Sequence, residues 1–182
     1  MGLRRMKTVA ACALALAFVV TLASCGEEPG VEEPAREGLA LELGDLEYNV
    51  FITRQLNPDV APDKAYYTGP DVPKGETLYG VFLQVCNKTE GRHESTDNFV
   101  VKDNQHEEFE PEELPEGNPF AYHPRTLGPE ECIPEAGSVA QLGPTEATML
   151  LFRLPVEVTE NRPLELEIVD ATGESLTYEL DL

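Results

Sequence analysis

The sequence predicts an all-β protein, a two-sheet antiparallel sandwich of about seven strands, on three observations. Apolar residues alternate with polar ones in several short windows, the two-residue period of a half-buried strand. Gly, Pro, Asn and Asp cluster between those windows, where a chain of strands must turn. No long stretch carries the 3.6-residue apolar period of an amphipathic helix, which disfavours α/β layering.

The N-terminus stands apart from this pattern. Arg4, Arg5 and Lys7 precede an apolar run that begins near Val9 and ends at Leu22-Ala23-Ser24-Cys25. The run falls short of the roughly 20 apolar residues that cross a bilayer. Its order of basic, apolar and small residues is that of a secretion signal, and Leu22-Ala23-Ser24-Cys25 resembles the lipobox of bacterial lipoproteins. That resemblance implies removal of residues 1–24 and a diacylglycerol on the Cys25 sulfur. The mature protein is then held at the extracellular face of the bacterial cytoplasmic membrane. Two acyl chains anchor persistently where one is marginal, since each buried methylene contributes about 0.8 kcal/mol. Cys12 lies inside the signal, so Cys25, Cys86 and Cys132 remain.

Residues 25–38 read as a lipidated N-terminus and acidic tether. Glu27, Glu28, Glu32, Glu33 and Glu37 repel one another, Pro29 and Pro34 stiffen the segment, and no hydrophobic period is present. Residues 39–182 are long enough for one domain with its own core.

Within that domain, Leu39, Leu41 and Leu43 alternate with Ala40 and Glu42, and 46–52 continues as strand after Gly44-Asp45. These residues are expected as one long bent strand or two short ones. Segment 57–74 is dominated by turn signals, Asn57-Pro58, Ala61-Pro62 and Gly69-Pro70. Tyr66 and Tyr67 within it read either as loop anchors over the core or as exposed binding surface. The clearest central strand is 77–86, where apolar residues occupy both alternating sets, as a strand covered on both sides requires. Asn87-Lys88-Thr89 has the spacing of a glycosylation acceptor, but reads as a turn in a chain with a bacterial signal. Phe99-Val100-Val101 forms a short strand that Asp103-Asn104-Gln105 turns toward the edge-like Glu108-Phe109-Glu110. Residues 147–154 form a nearly buried strand ended by Pro155. Segments 164–169 and 176–182 alternate cleanly and close the domain as a hairpin.

Residues 111–144 form a long connection rich in proline, glycine and acid. Connections of this length are unusual in a compact domain and either bind something or wrap a surface. Phe120, Tyr122, Leu127 and Ile133 give it apolar points of attachment. Phe120 and Tyr122 fit either an interface anchor or a seal over the sandwich. Once Cys25 is lipidated, Cys86 and Cys132 are the obvious intramolecular pair, and export permits their oxidation. The competing reading, a reactive cysteine pair or metal site, lacks a Cys-x-x-Cys motif.

The chain also resembles the extracellular immunoglobulin-like domains of Gram-positive lipoproteins, including the telokin-like group. The resemblance is carried by Gly44-Asp45-Leu46-Glu47-Tyr48, by 73–79, and by 97–103 leading to Glu107-Glu108-Phe109-Glu110-Pro111. It extends over 39–182 and implies an immunoglobulin-like sandwich. It supplies no catalytic residue. The long 111–144 insertion and the two cysteines depart from the plainest members of that group.

The 34 acidic residues against 13 basic ones, a formal net charge of −21, oppose nucleic acid and bare anionic lipid. They favour a cation or a basic partner within the reach of about 8 Å that salt allows. No catalytic site is expected. Ser95, Ser138 and Ser175 lack a nucleophile motif or a partnered base, and no phosphate loop is present. No metal site or other cofactor is expected either. His93, His106 and His123 fall in polar or proline-rich segments without ligand spacing. Asp97-Asn98, Asp103-Asn104 and Asp170 lack the calcium-loop pattern and suit turns that cap their own backbone. The leading expectation is therefore a membrane-anchored extracellular interaction module that binds a protein or cell-envelope component. A small-molecule or cation-binding lipoprotein and a passive envelope scaffold are the alternatives. A concave pocket formed by Tyr66, Tyr67, Phe120 and Tyr122 would indicate a small molecule, whereas a flat patch or open sheet edge would indicate a macromolecule.

Overall fold

A computed structural model describes residues 28–182. The expected signal segment 1–24 and the expected lipidation site Cys25 lie outside the described residues. The strands are β1 (Ala35–Arg36), β2 (Ala40–Leu43), β3 (Leu46–Leu56), β4 (Glu76–Asn87), β5 (His93–Glu94), β6 (Asn98–Lys102), β7 (Glu108–Phe109), β8 (Thr126–Leu127), β9 (Cys132–Ile133), β10 (Thr148–Pro155), β11 (Leu164–Val169) and β12 (Ser175–Leu180). One five-stranded sheet runs β1-β12-β11-β6-β7. The other runs β10-β4-β3-β2, with β9 also on β4, and β5 and β8 form a separate ribbon.

The all-β sandwich expectation is met in outline and corrected in detail. The described residues hold twelve strands in three sheets rather than seven in two, and β1 pairs with β12 in parallel. Seven strands have four or more residues and occur where the periodicity places them. The other five have two residues each, too short to leave an alternating pattern. Glycine and the two-residue turn settle the first strand region. Gly44 takes φ 59° and lets β2 fold back on β3, with Leu43 opposite Leu46, so two strands form instead of one bent one.

The 25–38 segment is also corrected. Ala35 and Arg36 pair with Tyr178 and Glu179, and Ala35 is 2 % exposed. The Glu37 carboxylate accepts hydrogen bonds from the Thr53 and Asp181 amides. The second half of the expected tether is thus part of the domain. A small apolar residue and a carboxylate with two amide donors outweigh the repulsion that the acidic composition suggested.

β4 is the spine of the larger sheet. β3 lies along one side, while β10 takes the other side from Glu76 to Leu83 and β9 takes Val85 and Cys86. On the inner face of β4, Tyr79, Val81, Leu83 and Val85 pack with Val50, Leu150 and Phe152 against Leu166, Ile168, Leu176 and Tyr178 of the opposite sheet. Full burial of such side chains stabilises by about 1.5–3 kcal/mol each. Tyrosine hydroxyls tie the sheets together. The Tyr178 Oη lies 2.8 Å from the Tyr48 carbonyl and 2.9 Å from the Leu39 carbonyl, and the Tyr48 Oη accepts the Thr96 amide.

On the outer face, Leu78, Phe82, Met149 and Leu151 would meet water if the sandwich had only two layers. Segments 57–74 and 111–147 cover them with Tyr66, Tyr67, Phe120, Ala140 and Ala147. Gly80 makes room in this layer. A Cβ there would lie 3.0 Å from both the Met149 sulfur and the Phe82 ring. Tyr66 meets Phe82 and Phe120 edge-on at 5.0 and 4.8 Å. Arg54 lies over the Tyr66 and Phe82 rings and pairs with Asp63, so its charge is met by a carboxylate and two π faces.

The long connection is fastened in several places. Cys86 and Cys132 are directly opposite one another on β4 and β9 and form a disulfide. Beside it Asn87 is fully buried, and its side-chain nitrogen donates to the carbonyls of Gly91, Leu127 and Gly128. That nitrogen is committed to the fold, in keeping with the turn reading of Asn87-Lys88-Thr89.

Candidate functional site

The four aromatic residues singled out for partner binding are buried. Tyr66 is 1 % exposed, Tyr67 9 %, Phe120 8 % and Tyr122 9 %. Of the two readings left open for them, the exposed recognition surface is corrected and the anchor and seal hold, because the apolar outer face of β4 and the mouth between the sheets need this kind of cover. Nor do the four meet in one hollow. Tyr66 and Phe120 border a small apolar one of about 360 Å³, whereas Tyr122 packs edge-on against Phe99 at 5.1 Å. Burial is the leading effect on the Tyr122 hydroxyl and drives its pKa up. That hydroxyl donates to the Thr96 carbonyl at 2.7 Å, so it is a neutral structural donor.

A larger groove, of about 850 Å³, opens on one side of the sandwich. It arises from a mismatch between neighbouring strands. β7 pairs only with Val101 and Lys102 of β6. Pro111 follows two residues after Phe109 and has no N–H to continue the ladder. The chain therefore leaves β6 and crosses to the other sheet, where the Glu112 amide donates to the Leu151 carbonyl at 2.7 Å. It returns to β10 at 120–122: the Met149 amide donates to the Phe120 carbonyl, and the Tyr122 amide to the Met149 carbonyl. Residues 98–100 of β6 are left lining the groove without a strand on that side.

The groove floor includes Phe99, Tyr122 and Leu150, and its walls carry Asp97, Glu110, Glu112, Glu113 and Glu116. Arg153 engages Glu112 through Nε at 2.9 Å and also reaches the Tyr67 hydroxyl at 3.3 Å. These contacts, Glu112 first, hold the Arg153 guanidinium above its ordinary pKa. Among the described residues no ion pair engages Asp97, Glu110, Glu113 or Glu116. The groove thus keeps a strongly negative wall beside backbone that a further strand could pair with. Sequence reasoning read Asp97 as a turn residue and missed the groove that these carboxylates share, because acid is common throughout the chain. The signal that could have found them is Pro111 placed directly after a two-residue strand.

The other sequence candidates do not converge on a centre. His93 pairs with Asp45 at 3.1 Å, His106 occupies the β6–β7 turn with φ 65°, and His123 lies on the groove wall. Among the described residues no group of three or more His, Cys, Asp or Glu is placed to hold a metal ion. The turn aspartates cap backbone. Asp170 Oδ1 accepts from the Thr172 hydroxyl and from the Thr172 and Glu174 amides, and these bonds, the hydroxyl first, lower its pKa. Desolvation works to raise the Asp103 carboxyl, but the Glu107 and Gln105 amides and the Asn161 side chain outweigh it and hold the pKa down. No helix among the described residues is long and apolar enough to cross a membrane.

No protein-family model matches the chain, and no curated protein matches it. Among solved structures it is similar to a candidate lipoprotein, ycdA, from Bacillus subtilis subsp. subtilis str. 168, with a TM-score of 0.50 and 12 % identity, over 78 % of this chain and 38 % of that one. The chain therefore spans well under half the length of that protein. Two further structures are an uncharacterized β-sandwich protein from Clostridium difficile 630 (TM-score 0.49, 16 % identity, 85 % of this chain and all of that one) and the yjhA protein from Bacillus subtilis (TM-score 0.49, 10 % identity, 80 % and 98 %). At this level of identity the first likeness shows a shared β-sandwich fold.

Proposed function

We propose that this protein is a non-enzymatic interaction domain of the immunoglobulin-like, telokin-like kind. It is anchored by a lipid on Cys25 at the extracellular face of the cytoplasmic membrane and engages a protein or envelope component through the groove between β6 and β10. The observation that carries this reading is the acid-walled groove beside the unpaired part of β6. An uncovered sheet edge suits a macromolecular partner, while the aromatic pocket that would have favoured a small molecule is absent because its four rings are in the cores. Since Gly30 is buried and its carbonyl accepts the Thr177 amide of β12, the link from lipid to domain is no longer than residues 26–29. It spans at most about 14 Å when fully extended, which confines the groove to partners in or close to the membrane.

Two experiments test the reading. Photo-cross-linking in native membranes from Glu113, on the groove wall, is expected to give a saturable adduct with one component, and cross-linking from Thr172, in the exposed β11–β12 turn, to give none. Random abundant adducts from both positions would leave only a passive scaffold. Intact mass of the membrane-extracted protein tests the anchor. A diacylated species beginning at Cys25 is expected, with release or a retained precursor after Cys25→Ala, and a membrane species that retains residues 1–24 would remove the anchor from the proposal.

A further inference from the structure

We infer that the groove takes an extended, cationic polypeptide segment as an added strand on β6. The inference rests on the groove being the recognition surface proposed above, and it names what the groove recognises. Backbone N–H and C=O groups along an edge strand project alternately toward its two sides, so part of the set on 98–100 faces away from β11, beyond the end of β7. An unpaired edge is a template for another strand, and proteins usually cover one or place charge beside it. Here the charge has a single sign. Asp97, Glu110, Glu113 and Glu116 line the groove with no cation paired to them among the described residues.

The shortness of the edge decides the partner. Three residues give only a few backbone hydrogen bonds, each contributing modestly in water, so the main chain alone cannot hold an added strand. Lysine or arginine side chains facing four uncompensated carboxylates supply the remaining affinity and accelerate the encounter. A second copy of this protein is a poor occupant, because it carries a formal net charge of −21 and would bring its own acidic groove wall. The floor of Phe99, Tyr122 and Leu150 accepts an apolar side chain from the added strand. The predicted segment is therefore extended, with basic residues at most positions and at least one β-branched apolar residue among them.

The test uses the full-length, membrane-extracted protein and a fluorescently labelled peptide, Lys-Thr-Lys-Val-Lys-Thr-Lys, blocked at both ends. Two companions carry the same charge but are N-methylated at alternate residues, one in each phase. An added strand uses only one alternating set of amides toward β6, so one phase is expected to bind about tenfold more weakly than the parent, the loss of one or two hydrogen bonds. The other phase is expected to bind like the parent. Peptide binding should slow hydrogen exchange at 98–100, and the triple variant Glu110→Gln, Glu113→Gln, Glu116→Gln should lose about tenfold in affinity while exchange in the strands away from the groove stays unchanged. Equal binding of parent and both methylated peptides, or full competition by spermine, would reduce the site to a cation sink and overturn strand addition. Absence of parent binding, or protein dimers that bury 98–100, would overturn it as well. If the cross-linker at Glu113 still attaches one saturable component in membranes, the interaction reading stands while strand addition falls; if neither occurs, both fall.

Discussion

The two faces of β4 are both buried, but by different means. Its inner face meets another sheet, and the contacts there repeat strand by strand, from Val81 and Leu83 to Leu166, Ile168 and Tyr178. Its outer face meets two irregular segments that place a few large rings, Tyr66, Tyr67 and Phe120, over Leu78, Phe82 and Leu151. The first core is held by the hydrogen-bond ladders of both sheets. The second is held by isolated fastenings: Arg54 with Asp63, and the Asn118 side chain donating to the Tyr66 carbonyl at 2.8 Å. A sheet-built core should open only when the whole domain unfolds, whereas a loop-built one can open locally.

The sharpest way to break this contrast is a matched pair of ring truncations. Phe152→Ala in the inner core is expected to cost about 3–5 kcal/mol and to lower the single cooperative transition seen by denaturant titration. Phe120→Ala should cost less globally and should first raise protease cleavage and hydrogen exchange in 111–147. Equal losses with no local opening in the Phe120 variant would show that both faces belong to one cooperative unit.

Reduction of the Cys86–Cys132 disulfide, or replacement of both residues by serine, removes a link of sequence separation 46. Chain entropy sets its contribution at about 4 kcal/mol at most. Segment 126–133, which adds Leu127 and Ile133 to the inner core, should feel the loss first, because β9 pairs with β4 only at Val85 and Cys86. Exchange that quickens at 126–133 before the β11–β12 hairpin would agree, and the reverse order would show that the staple does not act locally.

A smaller effect is expected at acid pH. The Asp103 carboxyl has a lowered pKa in the folded protein, so the unfolded chain takes up its proton first as pH falls. The stabilisation is complete above the unfolded value of about 3.9 and is lost as pH drops through the folded value. Asp103→Asn should therefore flatten the acid limb of the stability curve below about pH 4, and an unchanged acid limb would refute the assignment. The smallest change is Tyr66→Phe. The Tyr66 hydroxyl is buried with no hydrogen-bond partner among the described residues, so its removal should leave stability level or raise it by up to about 1 kcal/mol. A loss on that scale in thermal unfolding would mean that the hydroxyl is satisfied.

The same contrast explains what could be read in the chain before its structure. The inner core was legible because each of its strands repeats every second residue, and β4 announced its double burial by filling both sets from Leu78 to Val85. The cover on the outer face obeys no period. Tyr66, Tyr67, Phe120 and Tyr122 were visible as apolar points in polar segments, but their direction depends on contacts made across 52 residues, as from Asn118 to Tyr66. The groove was less legible still. Its walls are drawn from a surplus of acid, and its defining feature is a missing partner for 98–100, which no local pattern records.

The pairing of β1 with β12 also has a temporal side. The Glu37 side chain reaches the Asp181 amide across 144 positions of the chain, and Ala35 sits beside Tyr178. A polypeptide is made from its N-terminus onward, so the Glu37 side chain must wait for the 144 positions after it to emerge before the Asp181 amide exists. Until then Ala35 and the neighbouring edge stay unpaired, and any partly made chain lacks the strand that completes its first sheet. Chains that stop before β12 should therefore be readily degraded, since they leave Ala35 and Glu37 without their partners.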